Sequence, residues 1–105
     1  KDRITIDLSG ATWSTFADTN SMDPTLDHGS NGIELKPKGP SDIRPGDIIS
    51  YKAQFTDGLV VHRVISIGYD AVGWYALTKG DNNPTNDPQK VRYSDINGVV
   101  VGIIY

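Results

Sequence analysis

The stretch Leu59-Val60-Val61-His62-Arg63-Val64-Ile65-Ser66-Ile67 decides the fold. It is rich in β-branched residues and is bounded by turn formers, Thr56-Asp57-Gly58 before it and Gly68-Tyr69-Asp70 after it. That combination reads as a strand. On a strand, His62 shares a face with Val60 and Val64, while Arg63 points with Val61 and Ile65 to the other face. One of these two polar groups is therefore turned toward a partner or an open cleft. Working outward, residues 47–51 and 72–78 are further β-branched or aromatic runs. Residues 99–105 form another, and Ile4, Ile6 and Leu8 alternate along residues 3–8, where Gly10 ends the pattern. Trp13 and Phe16 belong to a second short element leading to Ser21. Pro45-Gly46-Asp47 and Gly80-Asp81-Asn82-Asn83-Pro84 supply the remaining turns, and residues 36–42, with Pro37, Gly39 and Pro40, form the best loop. The expectation is an all-β, mainly antiparallel domain over residues 1–105, with at most a short helical turn after Ser21, where Pro24 suits a first-turn position.

Composition supports that reading and removes several function classes. Of 13 acidic residues only Glu34 is Glu; with five Ala and 17 Gly plus Pro, the chain favours turns and strands over helices. At 105 residues there is room for one core, which the 37% apolar content can fill. No cysteine means no disulfide framework, no thiolate metal site and no cysteine nucleophile. A net charge of −3 without a Lys/Arg cluster argues against nucleic-acid binding. The longest apolar stretches fall far short of the roughly 20 residues that cross a bilayer. Lys1 rather than Met opens the chain, with no apolar leader. The expectation is a processed or trimmed chain whose upstream residues are missing.

Taken singly, the candidate polar residues have ordinary structural readings. A lone histidine on a strand is more often structural than catalytic. Ser21, close to Pro24, reads as a turn or capping residue, and Asp81 and Asp87 as turn-forming aspartates. Calcium is a poor fit for the loop: counting from Asp81, the third, fifth and twelfth positions are Asn83, Thr85 and Arg92. No metal or cofactor is expected. His28, beside Gly29, is given a surface position and no role.

In order along the chain, however, stand Ser21-Met22-Asp23-Pro24-Thr25-Leu26, Arg44-Pro45-Gly46-Asp47-Ile48-Ile49, Val61-His62-Arg63-Val64-Ile65 and Gly80-Asp81-Asn82-Asn83, with a second acid at Asp87. In order and spacing these resemble the boxes of the type I signal peptidase family, over about residues 17–102. Most bacterial members carry lysine where this chain has His62; a histidine followed by Arg-Val-Ile is similar to the archaeal enzymes and the endoplasmic-reticulum signal peptidases. Only 18 residues separate His62 from Asp81, which leaves no space for an inserted domain and implies a minimal core. The resemblance implies a serine endopeptidase that cleaves after small residues of signal-peptide-bearing preproteins. It also implies an extracytoplasmic membrane face, reached through an anchor absent from this chain. It makes Ser21 the nucleophile, His62 the general base, Asp87 the acid that orients the ring and Asp81 a supporting acid. The Thr19 hydroxyl and the Ser21 backbone N–H become oxyanion donors. Asn20 stands where the family often has glycine.

The chemistry suits those residue types. A serine hydroxyl needs a base within hydrogen-bond reach, a neutral imidazole can take its proton, and a carboxylate behind the ring sets the tautomer. Met22, Leu26 and Val60 are apolar candidates for a side-chain pocket and equally for ordinary core. Two other readings stand beside this one. The first is a non-catalytic β-domain that serves as a binding or structural module. The second is a self-cleaving repressor-type peptidase, which uses a Ser/Lys pair; Lys52 and Lys79 fall outside its matching box.

Overall fold

Alternating side chains and short turns fold this chain into one antiparallel sheet. A computed structural model describes residues 11–15, 21–22 and 31–104. Among these residues the strands are β1 (Ala11–Thr15), β2 (Asn31–Leu35), β3 (Ile48–Lys52), β4 (Leu59–Tyr69), β5 (Trp74–Lys79), β6 (Val91–Arg92) and β7 (Ile96–Ile104). Two 3₁₀ turns, Pro40–Asp42 and Tyr93–Asp95, accompany them. The strands lie in the order β1-β2-β7-β3-β4-β5-β6, and every pairing is antiparallel. The fold is all-β, as the composition implies.

Period-two alternation sends each strand's residues to two faces. On one face Ile43, Ile49, Tyr51, Ala53, Val64, Trp74, Ala76, Val91 and Ile96 form the main core, with Val60, Tyr93 and Val99 packed against it. Removing aliphatic side chains such as Ile43, Ile49, Val64 and Val91 from water contributes about 2 kcal/mol each. On the other face Met22 and Ile48 make a smaller cluster with Val61 and Val100. Irregularities in the ladder preserve these assignments. Opposite β3, Val99 pairs with Ile49 and Ile96 with Tyr51, so one extra residue on β7 keeps both apolar side chains in the main core.

Several expectations shift. The strand expected at residues 3–8, together with Phe16, Pro24, Leu26 and His28, lies outside the described residues. The turn expected at Gly68-Tyr69-Asp70 forms two residues later. Asp70 and Gly73 exchange backbone hydrogen bonds of 3.0 and 3.1 Å, and Asp70 Oδ1 accepts the Val72 N–H at 2.9 Å. Ala71-Val72 is therefore the loop, Tyr69 stays extended in β4, and β5 begins at Trp74 rather than Val72. An aspartate that can bond the backbone two residues on competes better for the corner than an aromatic. Part of the expected loop at residues 36–42 is the first 3₁₀ turn, where Asp42 Oδ2 accepts the Lys38 N–H at 2.8 Å. β7 starts at Ile96, earlier than expected. β2 and β6 had no clear sequence signal: the buried side of β2 carries Gly32 and Glu34 in place of apolar residues.

Glu34 explains why a glycine stands third in β7. Its carboxylate accepts a hydrogen bond from Ser50 Oγ, and the Asn97 amide donates to that same Ser50 oxygen at 3.3 Å. A Cβ on Gly98 would lie 2.7 Å from Glu34 Oε1 and 3.1 Å from Glu34 Cβ, which has no freedom to swing aside. Gly98→Ala is expected to destabilise the fold by about 1–3 kcal/mol. Gly39→Ala meets open space on extended backbone, so it should leave stability unchanged or slightly raised. Urea denaturation midpoints of the two variants check this; equal midpoints would show that Glu34 does not constrain β7.

Candidate active site

His62 reaches the main-core face because it alternates with Val61 and Arg63 along β4, opposite Ile49 of β3. It is only 6% exposed. A buried imidazole needs partners for both ring nitrogens, and both are present. Nδ1 lies 2.6 Å from Asp87 Oδ2, and Nε2 lies 3.0 Å from Ser21 Oγ. An ionised carboxylate only accepts, so Nδ1 carries the proton and Nε2 of the neutral ring is left to accept from the serine hydroxyl. Three residues separated by 41 and 25 positions in sequence thus form one line of hydrogen bonds.

Asp87 is held from β5. Its backbone N–H donates to the Thr78 carbonyl at 2.7 Å. Its Oδ2 also accepts from the Thr78 hydroxyl at 2.7 Å and from the Tyr51 hydroxyl at 2.9 Å. Burial is the largest single influence on this carboxyl and pushes it up. The hydrogen bonds from His62, Thr78 and Tyr51, with the attraction of the imidazole, outweigh that and hold it below the ordinary carboxylate value. Tyr51 is pushed above the usual phenol range, first by burial and then by the Asp87 charge, against an opposing contact from Thr78. It stays protonated and serves as a donor.

Ser21 enters where β4 and β5 part. Their last paired residues are Arg63 and Lys79; beyond them the chain turns at Gly80, with Asn83 N–H bonded to the Gly80 carbonyl at 2.9 Å. The Ser21-Met22 turn sits against this opening. Ser21 reaches His62 on one face, while Met22 packs with Ile48, Val61 and Val100 on the other. The turn at residues 80–83 grips it from the side: Asn82 N–H donates to the Ser21 carbonyl at 2.8 Å, and Asp81 N–H approaches Met22 Sδ at 3.2 Å. A Cβ on Gly80 would stand 2.5 Å from the Ser21 carbonyl oxygen, so this close approach requires glycine.

Asp81 does not contribute to the Asp87 cluster. Its two oxygens take Arg63 Nε and Nη2, both at 2.8 Å, while Arg63 Nη1 donates to the Gly46 carbonyl at 2.7 Å. The two polar residues in mid-strand thus find partners on opposite faces, and Asp81 supports the site by tying the 80–83 turn to β4. Lys79 Nζ braces the same turn through the Gly80 and Asn83 carbonyls at 2.8 and 2.7 Å. Met22 and Val60 belong to apolar clusters. Thr19, expected as an oxyanion donor, lies outside the described residues. Tyr51 and Thr78 carry little signal in the sequence, because a tyrosine and a threonine fit any strand; the pair of hydroxyls on runs flanking the histidine is the hint they offer.

Because Asp87 has a depressed pKa in the folded chain, its contribution to stability is complete above the unfolded carboxylate value of about 4 and is lost as pH falls through the folded value. Asp87→Asn is expected to be less stable at pH 7 yet to show a shallower loss on acidification. Denaturant midpoints taken from pH 7 down to pH 3 test this, and parallel curves for parent and variant would count against it.

Comparison of the sequence with protein-family models and with curated proteins finds no match.

Proposed function

We propose that the chain is a serine endopeptidase resembling the Ser/His type of signal peptidase, with Ser21 as nucleophile, His62 as general base and Asp87 as the acid behind the ring. The observation that carries this reading is the unbroken line from Ser21 Oγ through His62 to Asp87, at 3.0 and 2.6 Å. In this proposal Ser21 Oγ attacks the scissile carbonyl as its proton passes to His62 Nε2, and the imidazolium is stabilised by Asp87. The ring then returns the proton to the departing amine. Water attacks the acyl-serine by the same path in reverse, releasing the acid and restoring the hydroxyl. The Ser21 backbone N–H and the Thr19 hydroxyl are the proposed oxyanion donors, each worth about 3–4 kcal/mol in sites of this kind.

Substrate and location are proposed on the order of the sequence boxes. The substrates are preproteins cleaved after small residues of their signal peptides, and the site of action is the extracytoplasmic face of a membrane. No helix among the described residues is long and apolar enough to cross a membrane; association with the membrane is part of the proposal.

Labelling with a serine-directed fluorophosphonate tests the reading directly. The parent should label and Ser21→Ala should not; equal labelling of both would return the chain to the reading of a binding or structural β-module. Cleavage of a signal-peptide substrate should fall by several orders of magnitude in His62→Ala and by about 10³–10⁴-fold in Asp87→Asn.

The grip of the 80–83 turn on Ser21 yields a separate expectation. In Gly80→Ala the serine is displaced from the ring while the triad residues remain, so kcat should drop by about 10²-fold with the core intact. Unchanged kcat in a folded variant would mean that the turn does not position the nucleophile.

A further inference from the structure

Asp87 Oδ2 accepts from three donors at once: His62 Nδ1 at 2.6 Å, the Thr78 hydroxyl at 2.7 Å and the Tyr51 hydroxyl at 2.9 Å. Tyr51 and Thr78 are both 0% exposed, so neither hydroxyl can turn to solvent. Each carries a single proton. The 3.2 Å contact between the two hydroxyl oxygens is longer than either bond to Asp87, so both protons are directed at the carboxylate. Two strands, β3 and β5, therefore send buried hydroxyls to the same oxygen that faces the ring. A buried tyrosine or threonine in need of any acceptor has backbone carbonyls available; convergence on one carboxylate oxygen is a more specific arrangement.

We propose that Tyr51 and Thr78 are positioning residues that act through Asp87, fixing which oxygen faces His62 and sharing its negative charge. Its consequence for rate rests on the endopeptidase reading; its effect on the ring does not. With two hydroxyls already bonded, Oδ2 orients the imidazole and holds the Nδ1 proton in place without drawing it across. When one hydroxyl is removed, more of the carboxylate charge is aimed at Nδ1–H, the imidazolium is favoured, and the ring keeps its second proton to higher pH. The neutral base then becomes scarcer on the acid side of the rate profile. The other charged groups of the adjoining segments are engaged away from the ring. Arg63 projects from the opposite face of β4 to Asp81 and the Gly46 carbonyl, and Lys79 from the opposite face of β5 to the Gly80 and Asn83 carbonyls.

The test is an NMR pH titration of the His62 ring in the parent, Thr78→Val, Thr78→Ser and Tyr51→Phe, with His28 as internal reference and fluorophosphonate labelling of Ser21 followed in parallel. In Thr78→Val and Tyr51→Phe the His62 midpoint should rise by about 0.5–1 pH, lowering labelling about 3- to 10-fold on the acid limb. Thr78→Ser, which restores the hydroxyl, should titrate like the parent. An unchanged or lowered midpoint in folded Tyr51→Phe and Thr78→Val overturns the proposal and leaves both residues as ordinary core. If Thr78→Val does not fold, Tyr51→Phe, which removes one oxygen only, decides alone. If the midpoints move but Ser21 never labels in the parent, the endopeptidase reading falls and the positioning of the ring stands.

Discussion

The antiparallel register of β4 against β5, with Val64 opposite Thr78 and Arg63 opposite Lys79, is the constraint from which the site follows. It puts the Thr78 hydroxyl on the same face as His62, where it can hold Asp87, and it ends the ladder one residue before Gly80, opening the place that Ser21 and Met22 occupy. Slipping the register by one residue would send Thr78 to the opposite face and take the Asp87 anchor with it. The bulge past Val64 lies on the far side of these pairs and leaves them undisturbed. A single stretch of pairing thus fixes both neighbours of the imidazole, even though they come from distant parts of the chain.

Two buried carboxylates test the same principle in different ways. Asp87 is only 6% exposed at its side chain and is surrounded by donors from three strands. Glu34, also buried, is met by the Ser50 hydroxyl and pressed against the bare backbone of Gly98. Leaving either without donors would carry a large desolvation penalty, so the surrounding sequence is restricted well beyond the acid itself. That restriction accounts for a serine in the middle of β3 and a glycine near the start of β7, positions where strand preference alone would call for β-branched residues.

Much of this was legible in the sequence, for reasons that can be named. His62 stood out because an imidazole in the middle of a β-branched run demands a partner, and the strand around it formed where that run lies. Alternation also separated His62 from Arg63 correctly. What the chain could not display was which of two aspartates in one turn-rich loop would face the ring. That choice depends on the backbone bond from Asp87 to the Thr78 carbonyl and on the Arg63 guanidinium occupying Asp81. β2 escaped notice because its buried positions are glycine and glutamate, so it lacked the apolar alternation by which half-buried strands are recognised. Tyr51 and Thr78 look like routine strand residues until pairing brings their hydroxyls to one oxygen.

The place of β7 in the sheet has a consequence for assembly. Within the sheet it is the seam between two halves: β1-β2, whose connecting segment carries Ser21, and β3-β4-β5-β6, which carries His62 and holds Asp87. Because this seam is the latest of the described strands, the sheet joins the side that carries Ser21 to the side that carries His62 only when residues 96–104 pair with both β2 and β3. Contacts this distant in sequence also make for slow closure. Strand order alone thus makes the joining of the two halves of the sheet a late event in folding.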